Sequence, residues 1–178
     1  MAWSTRSASI LFLLGLATAL PALAASTARQ ALKDVVAQAQ KWRADAVLTH
    51  VSTLSGQSDG RAASWLYTFY SPSAKKSAIV TARDARIDIE PDVRNTSVDA
   101  LAADFIDSDK AADAAAQGGL KADKSSKDLG FGLTVANQAV GRPQLMWSVT
   151  VMTDSAMTSV QVDGRSGSFI RRNQQSFK

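Results

Sequence analysis

The chain has 178 residues, of which 20 are Lys or Arg and 16 are Asp or Glu, and it contains no Cys and a single His. The absence of Cys excludes disulfides, thiolate metal sites and cysteine nucleophiles, and the single His excludes a multi-histidine metal site. The formal net charge of +4 is too small to indicate nucleic acid as a partner.

The first 24 residues have the pattern of a signal peptide. Arg6 provides a positive charge, residues 9–20 form a short apolar run, and residues 21–24 end on small side chains, so we predict cleavage before Ala25. The apolar run is shorter than the roughly 20 residues that a membrane helix needs, which favours cleavage over the alternative of an uncleaved N-terminal anchor. Since no Cys follows the cleavage site, a lipid-anchored lipoprotein is excluded. We therefore expect a periplasmic or secreted protein with no stable membrane span.

The first half of the mature chain, residues 25–97, begins with a predicted helix. Apolar residues recur three or four apart over residues 26–47, and Ser26 or Thr27 can cap that helix. The spacing then changes to two, which is typical of strands. We predict strands over residues 47–54, 64–70, 77–82 and 85–90, the last of them stopped by Pro91.

The second half, residues 98–178, repeats this order of elements. Ser108 can cap a short helix over residues 109–117, which Gly118 and Gly119 end. A strand follows over residues 129–136, and residues 145–172 alternate as two apolar strands, a tight turn and a short basic strand. The predicted fold class is therefore α+β, with helices packed on one face of an antiparallel sheet and two similar helix-plus-strands halves.

The tight turn of the second half lies at residues 163–167. Asp163 can accept hydrogen bonds from backbone N–H groups two residues on, and Gly164 and Gly167 permit positive φ. We interpret these three residues as a structural turn that closes the sheet rather than as a binding site.

Aromatic residues of the predicted sheet are the candidate binding residues. One face of the sheet should be core, and the other could hold an extended peptide that adds as a strand. Core is the default for Trp65, Tyr67 and Phe69, whereas Tyr70 has the opposite parity and is the member expected to be exposed. The candidate set is Trp65, Tyr67, Tyr70 and Trp147.

Three segments of the second half resemble the PepSY and PepSY-like domain family. They are residues 106–111 (IDSDKA) leading into Gly118 and Gly119, residues 143–149 (PQLMWSV) and residues 160–167 (VQVDGRSG). The resemblance covers roughly residues 106–170 and implies a small exported module with a PepSY-like or cystatin-like architecture. It also implies that the protein binds or restrains peptides and proteases in the bacterial envelope. The first half lacks the Val-Asp-x-x-x-Gly turn and would be a diverged second copy.

The remaining chemistry of the sequence does not indicate an enzyme. The carboxylates of residues 88–92 and of residues 107–109 lack the spacing of a calcium loop, so we expect neither a metal nor another cofactor. His50 lies in the middle of a predicted strand with no nucleophile motif nearby, which favours a structural role.

Three functions follow from these predictions. The leading hypothesis is a non-enzymatic exported domain that binds an envelope peptide or protein, in one form a protease that it restrains. A carrier of a small ligand, held in a pocket between helix and sheet, and a hydrolase that uses His50 are the alternatives.

Overall fold

The computed structural model describes residues 25–94, 97–122, 128–136 and 143–177. Within these residues, two helices and one eight-stranded antiparallel sheet are present. The helices are α1 (Leu32–Trp42) and α2 (Ser108–Gln117). The strands are β1 (Val47–Gly56), β2 (Ser64–Ser71), β3 (Lys76–Arg83), β4 (Arg86–Val93), β5 (Leu129–Ala136), β6 (Gln144–Met152), β7 (Ala156–Asp163) and β8 (Phe169–Ser176). The predicted signal peptide lies outside the described residues.

The sheet has the strand order β4-β3-β2-β1-β5-β6-β7-β8, and every neighbouring pair is antiparallel. Each half of the chain contributes one helix followed by four consecutive strands. The two sets of strands meet where β1 pairs with β5, with Val51 opposite Leu133. This order leaves β4 and β8 as the two edges of the sheet.

The predicted α+β class, with helices packed as a layer on one face of the sheet, is wrong. The sheet dominates the structure, because eight strands of 8 to 10 residues stand against helices of only 11 and 10 residues. Helix α1 lies against β3 and β4, and α2 lies against β6 and β7. The strands between them are covered by irregular segments, which place the side chains of Ala28 and Phe105 in the core.

Helix α1 is much shorter than the helix predicted over residues 26–47. Ser26 exchanges two backbone hydrogen bonds with Ala62 (3.0 and 2.9 Å), which holds the chain extended at that point. Thr27 donates its hydroxyl to Asp107 at 2.6 Å, so neither of the two predicted capping residues caps the helix. The apolar spacing continues beyond both ends of α1 because the flanking residues are also buried. Neither helix of the described part of the chain is long and apolar enough to cross a membrane.

Pro91 does not end the strand that contains it. Strand β4 continues to Val93, and its pairing with β3 shifts register between Ser77 and Ile79. Asp92 has a φ of 57°, which is consistent with a bulge at this position. Pro91 therefore marks an irregular edge, as expected for a residue that has no N–H to donate.

The core lies on one face of the sheet and is centred on aromatic rings. Trp65 contacts Phe131 and Trp147 edge to face with ring centroids 6.0 and 6.4 Å apart. Trp147 also contacts Phe105 with centroids 6.4 Å apart. Tyr67 and Phe69 share the face of Trp65 and are buried, which confirms the face that the sequence assigned to these three residues.

Candidate functional site

Three of the four candidate binding aromatics are fully buried. Trp65, Tyr67 and Trp147 each have 0% of their surface exposed, and burial raises the pKa of the Tyr67 phenol, with a smaller contribution from the charge of Asp107. Each polar ring atom donates to a backbone carbonyl of a segment that crosses the sheet: Trp65 to Ser26 (2.8 Å), Tyr67 to Ala28 (2.7 Å) and Trp147 to Ile106 (2.9 Å). The structure therefore places these side chains where they support the core and not where a ligand can reach them.

Tyr70 lies apart from the other three candidates. It is half-buried at the end of β2 and lines an open groove of about 480 Å³. The other lining residues are mostly charged or polar: Lys75, Lys76, Ser77, Asp92, Val93 and Arg94. The structure brings Tyr70 together with charged side chains and not with the predicted aromatic set.

The turn at residues 163–167 is held by the carboxylate of Asp163. One oxygen accepts the backbone N–H groups of Arg165 (3.0 Å) and Ser166 (2.8 Å), and the other accepts the side-chain amide of Gln144 (2.9 Å). These hydrogen bonds, led by that of Gln144, lower the pKa of Asp163 to about 2. Gly167 has a φ of 74°, as its predicted role requires.

Gly164 has a different role from the one predicted. Its φ is not positive, but a Cβ at this position would lie 2.6 Å from the side chain of Leu145. Gly164 also accepts a backbone hydrogen bond from Ile106 at 2.7 Å. The residue is therefore small because the chain packs closely here, and the turn joins β7 to the segment that leads into α2.

His50 lies on the face of the sheet opposite the core. Its ring lies over Gly132, since a Cβ on that glycine would be 3.7 Å from the imidazole. Partial burial lowers the pKa of His50, which keeps the ring neutral near pH 7. Across the described ranges, no three metal-ligating side chains come together.

The two edges of the sheet differ in how well they can accept another strand. Strand β4 carries Pro91, which has no N–H to donate, and the bulge at Asp92, and both are devices that protect sheet edges from pairing. Strand β8 has neither Pro nor Gly, its register shift lies near its start at Ile170, and its residues from Arg171 to Ser176 are paired regularly and exposed. The free edge of β8 is therefore the better place for an added strand.

The backbone groups that β8 leaves free can be identified from its pairing. Phe177 donates its N–H to Ser155 at 2.7 Å, directly after the pair of Ser176 with Ala156. Hydrogen-bonded pairs recur at every second residue of an antiparallel ladder. Residues 171, 173 and 175 therefore bond toward β7, and the N–H and C=O groups of Arg172, Gln174 and Ser176 point away from the sheet.

The side chains of β8 alternate between two different surroundings. Arg172 is paired with Val160 and Gln174 with Thr158, both buried, so these two side chains lie on the face that carries α2. Arg171 is paired with Gln161 and lies on the opposite face. The two neighbouring arginines thus border the same free edge from opposite sides.

A groove of about 520 Å³ lies beside the start of β8, at the C-terminal end of α2. Its lining residues are small or apolar with one exception: Ala114, Gln117, Gly118, Gly119, Gly167 and Phe169. Phe169 forms one wall and is 53% exposed. A Cβ at Gly118 would come within 2.6 Å of that ring, so glycine at this position leaves room for Phe169 against α2.

The two arginines of β8 are held by neutral partners. Arg171 donates to the amide oxygen of Gln161, and Arg172 donates to that of Gln174 at 3.4 Å. In the described part of the chain, the salt bridges join Asp59 to Arg61 and Asp104 to Arg165 and do not involve β8. The positive charges of Arg171 and Arg172 are therefore oriented without being neutralised.

The sequence predicts an added strand but does not identify β8 as the free edge, and the candidate binding residues were aromatic side chains of other strands. The signal that was present is the basic composition of the last residues, with four Arg or Lys and no acidic residue over 165–178. That composition does not show that β8 is an edge strand, since the strand order depends on the pairing of β1 with β5.

Comparison with known proteins identifies a similar fold. No family model and no curated protein match the chain. Among solved structures, the chain is similar to a "putative lipoprotein" from Clostridium difficile 630, with a TM-score of 0.53 and 11% sequence identity. The match covers 81% of this chain and 92% of the other. At that identity the likeness shows that the two proteins share a fold.

Proposed function

We propose that the protein is an exported, non-enzymatic, PepSY-like protein that binds an extended peptide or protein segment of the bacterial envelope as an added strand beside β8. The observation that carries this proposal is the free edge of β8, with unpaired backbone groups at Arg172, Gln174 and Ser176. Main-chain hydrogen bonds supply affinity in this mode of recognition, and alternate side chains of the ligand supply specificity.

Two further observations support export to the envelope. The first 24 residues have the composition of a signal peptide. The protein of similar fold is named a putative lipoprotein, and lipoproteins are envelope proteins. A lipid anchor is not part of the proposal, because the chain has no Cys to carry one.

Restraint of a protease is the form of this function that the PepSY resemblance implies. Pairing along β8 would engage an extended segment of the protease. The test is casein hydrolysis by an envelope extract with and without the purified protein. A lower rate supports restraint, whereas an unchanged rate removes the protease from the proposal and leaves peptide binding in place.

Peptide binding by strand addition is tested by changing one backbone donor of β8. The Gln174→Pro substitution removes an N–H that points away from the sheet, so the ladder between β7 and β8 stays intact. The probe is a displayed library of random peptides of eight residues, the length of β8, panned on the protein expressed from its full-length sequence. We expect peptides selected on the original protein to lose binding to the Gln174→Pro variant.

The matched control is Gln174→Ala, which removes the same side chain and keeps the N–H. Retention of peptide binding by this variant, together with loss by Gln174→Pro, assigns the interaction to the backbone edge. Equal binding by both variants, or no selected peptides at all, would overturn the proposal.

A further inference from the structure

The charge of the β8 edge restricts what can bind there. Within the described residues, the side chains of Arg171 and Arg172 donate hydrogen bonds to the neutral amide oxygens of Gln161 and Gln174, and neither arginine forms a salt bridge. Arg172 also lies beside the C-terminal end of α2, since a Cβ on Gly119 would be 3.3 Å from its guanidinium. The partial negative charge of a helix C-terminus favours a cation at that place. Both guanidinium groups are thus positioned at the edge and free to pair with carboxylates of a ligand.

The alternation of the strand determines the spacing of those carboxylates. Side chains of an added strand stand beside those of β8 on the same face, and consecutive residues point to opposite faces. Arg172 lies on the α2 face and Arg171 on the other. A ligand that pairs with both arginines therefore needs two acidic residues that are adjacent in its sequence.

The groove beside α2 adds a third position to the ligand. Phe169 and Arg172 are both on the α2 face of the sheet. Phe169 and Arg171 both precede Arg172 along β8. An apolar side chain of the ligand can enter the groove and pack against Phe169 and Ala114. In the ligand's sequence, this residue is next to the acidic pair or separated from it by one residue, because the bulge at Ile170 shifts the register. Burial of the exposed ring of Phe169 then contributes affinity.

We infer, on the basis of the proposed function, that the segment bound at β8 carries two adjacent acidic residues beside a large apolar residue. Chain direction decides whether the acidic pair precedes or follows the apolar residue. The partner is then a different protein, since the present chain contains no two adjacent acidic residues. In particular, Asp88 and Glu90 of the opposite edge strand β4 are separated by Ile89 and share one face, so they cannot pair with both arginines of a second copy.

The test uses synthetic peptides of eight residues with Glu-Glu-Phe at the centre and Ser and Thr elsewhere, measured by fluorescence anisotropy on the protein expressed from its full-length sequence. The comparison peptides carry Lys-Lys-Phe, Glu-Glu-Ser, and Glu-Ser-Glu-Phe, and each is also made in reversed order. We expect the Glu-Glu-Phe peptide to bind about tenfold more tightly than the Lys-Lys-Phe peptide at low salt, from two exposed charge pairs. That ratio should fall as salt shortens the screening length.

The protein variant that tests the same point is Arg171→Glu with Arg172→Glu, which should reverse the preference toward the Lys-Lys-Phe peptide. Its matched control is Lys33→Glu with Lys41→Glu, since both exposed lysines lie on α1 and the change in net charge is the same. Phe169→Ala should remove the difference between the Glu-Glu-Phe and Glu-Glu-Ser peptides. Phe177→Ala, which removes an exposed ring outside the groove, should preserve it.

The outcomes separate this inference from the proposed function. Peptides that bind irrespective of charge, and lose binding to Gln174→Pro, leave strand addition in place and overturn the acidic preference. Binding of none of these peptides, together with no library peptide that loses binding to Gln174→Pro, overturns both. Concentration-dependent dimers in sedimentation that dissociate in the Arg171→Glu, Arg172→Glu variant would show that a second copy occupies the edge and would overturn the assignment to a different protein.

Discussion

Trp65 and Trp147 meet edge to face with ring centroids 6.4 Å apart, and they occupy corresponding places in the two halves of the sheet. Each lies on the second strand of its half, and each indole N–H donates to the segment that leads into the helix of that half, at Ser26 and at Ile106. The two halves therefore share one aromatic core, and the same type of contact fixes the chain over each of them.

A third buried ring makes the same type of contact and can be tested without creating a cavity. Tyr67 donates its hydroxyl to the carbonyl of Ala28 at 2.7 Å, and both residues are fully buried. Tyr67→Phe leaves this carbonyl without its donor, which costs about 1–3 kcal/mol in the free energy of unfolding. Urea denaturation measures the loss. Tyr70→Phe, at a half-buried ring, is the control and should change stability by about 0.5 kcal/mol or less.

Equal effects of the two Tyr→Phe changes would show that the hydrogen bond to Ala28 does not stabilise the segment that crosses the sheet before α1. In that case the segment would be held by its other contacts, such as the bonds from Thr27 and Arg29 to Asp107 at 2.6 and 2.9 Å.

Gly60 lies at a close contact between the two halves, against Ser108. It has a φ of 78°, and a Cβ there would lie 2.3 Å from the carbonyl oxygen of Ser108, whose hydroxyl donates to Gly60 at 2.6 Å. Gly60→Ala combines backbone strain with a clash against main-chain atoms, and we expect it to lower the free energy of unfolding by about 2–4 kcal/mol. Thermal or urea denaturation gives the value.

The matched control for Gly60 is Gly132→Ala in strand β5. A Cβ there meets only the imidazole of His50, at 3.7 Å, and the φ is not positive. Since alanine also lowers the entropy of the unfolded chain, this change should be neutral or slightly stabilising, within about 1 kcal/mol. A loss at Gly132 as large as that at Gly60 would show that the close contact with Ser108 is not what makes Gly60→Ala destabilising.

Local patterns in the sequence predicted the strands better than the fold. Strand β5 runs over Leu129–Ala136, as the alternating Phe131, Leu133 and Val135 indicated. Helix α1 was overestimated because buried residues beyond its ends, such as Ala28 and Ala46, continue a helical spacing by coincidence. The predicted fold class was wrong because it assumed helices long enough to form a layer over the sheet. The two helices are short and cover only part of the eight strands.

The candidate site was harder to predict than the strands. Large aromatic residues on strands mostly contribute to cores, and Trp65, Tyr67 and Trp147 do so here. The free edge of β8 depends on pairing between residues far apart in sequence, and no local pattern encodes which strand is outermost.

His50 should make the stability of the fold depend on pH below about 7. Burial lowers its pKa below the ordinary value of 6.5, so the unfolded chain binds more protons than the folded chain as pH falls through that range. The stability from this group is fully present above pH 6.5 and is lost as pH falls. Urea denaturation at several pH values should show this decline. His50→Gln should flatten it, because the chain has no other His; an unchanged slope in the variant would contradict the assignment.

Asp163 should make the stability of the fold depend on pH in a lower range than His50 does. The hydrogen bonds from Gln144, Ser166 and Arg165 hold its pKa at about 2, below the ordinary 3.8. A lowered carboxylate pKa gives stability that is present above pH 3.8 and is lost as pH falls toward 2. Because the group is only partly buried and solvent screens its charge, we expect on the order of 1 kcal/mol rather than the full value of the shift. Asp163→Asn should reduce the acid-induced loss of stability that urea denaturation measures. Asp113→Asn, at an exposed position of α2, should leave that loss unchanged. Identical acid profiles for the two variants would show that the Asp163 turn does not stabilise the junction of β7 and β8.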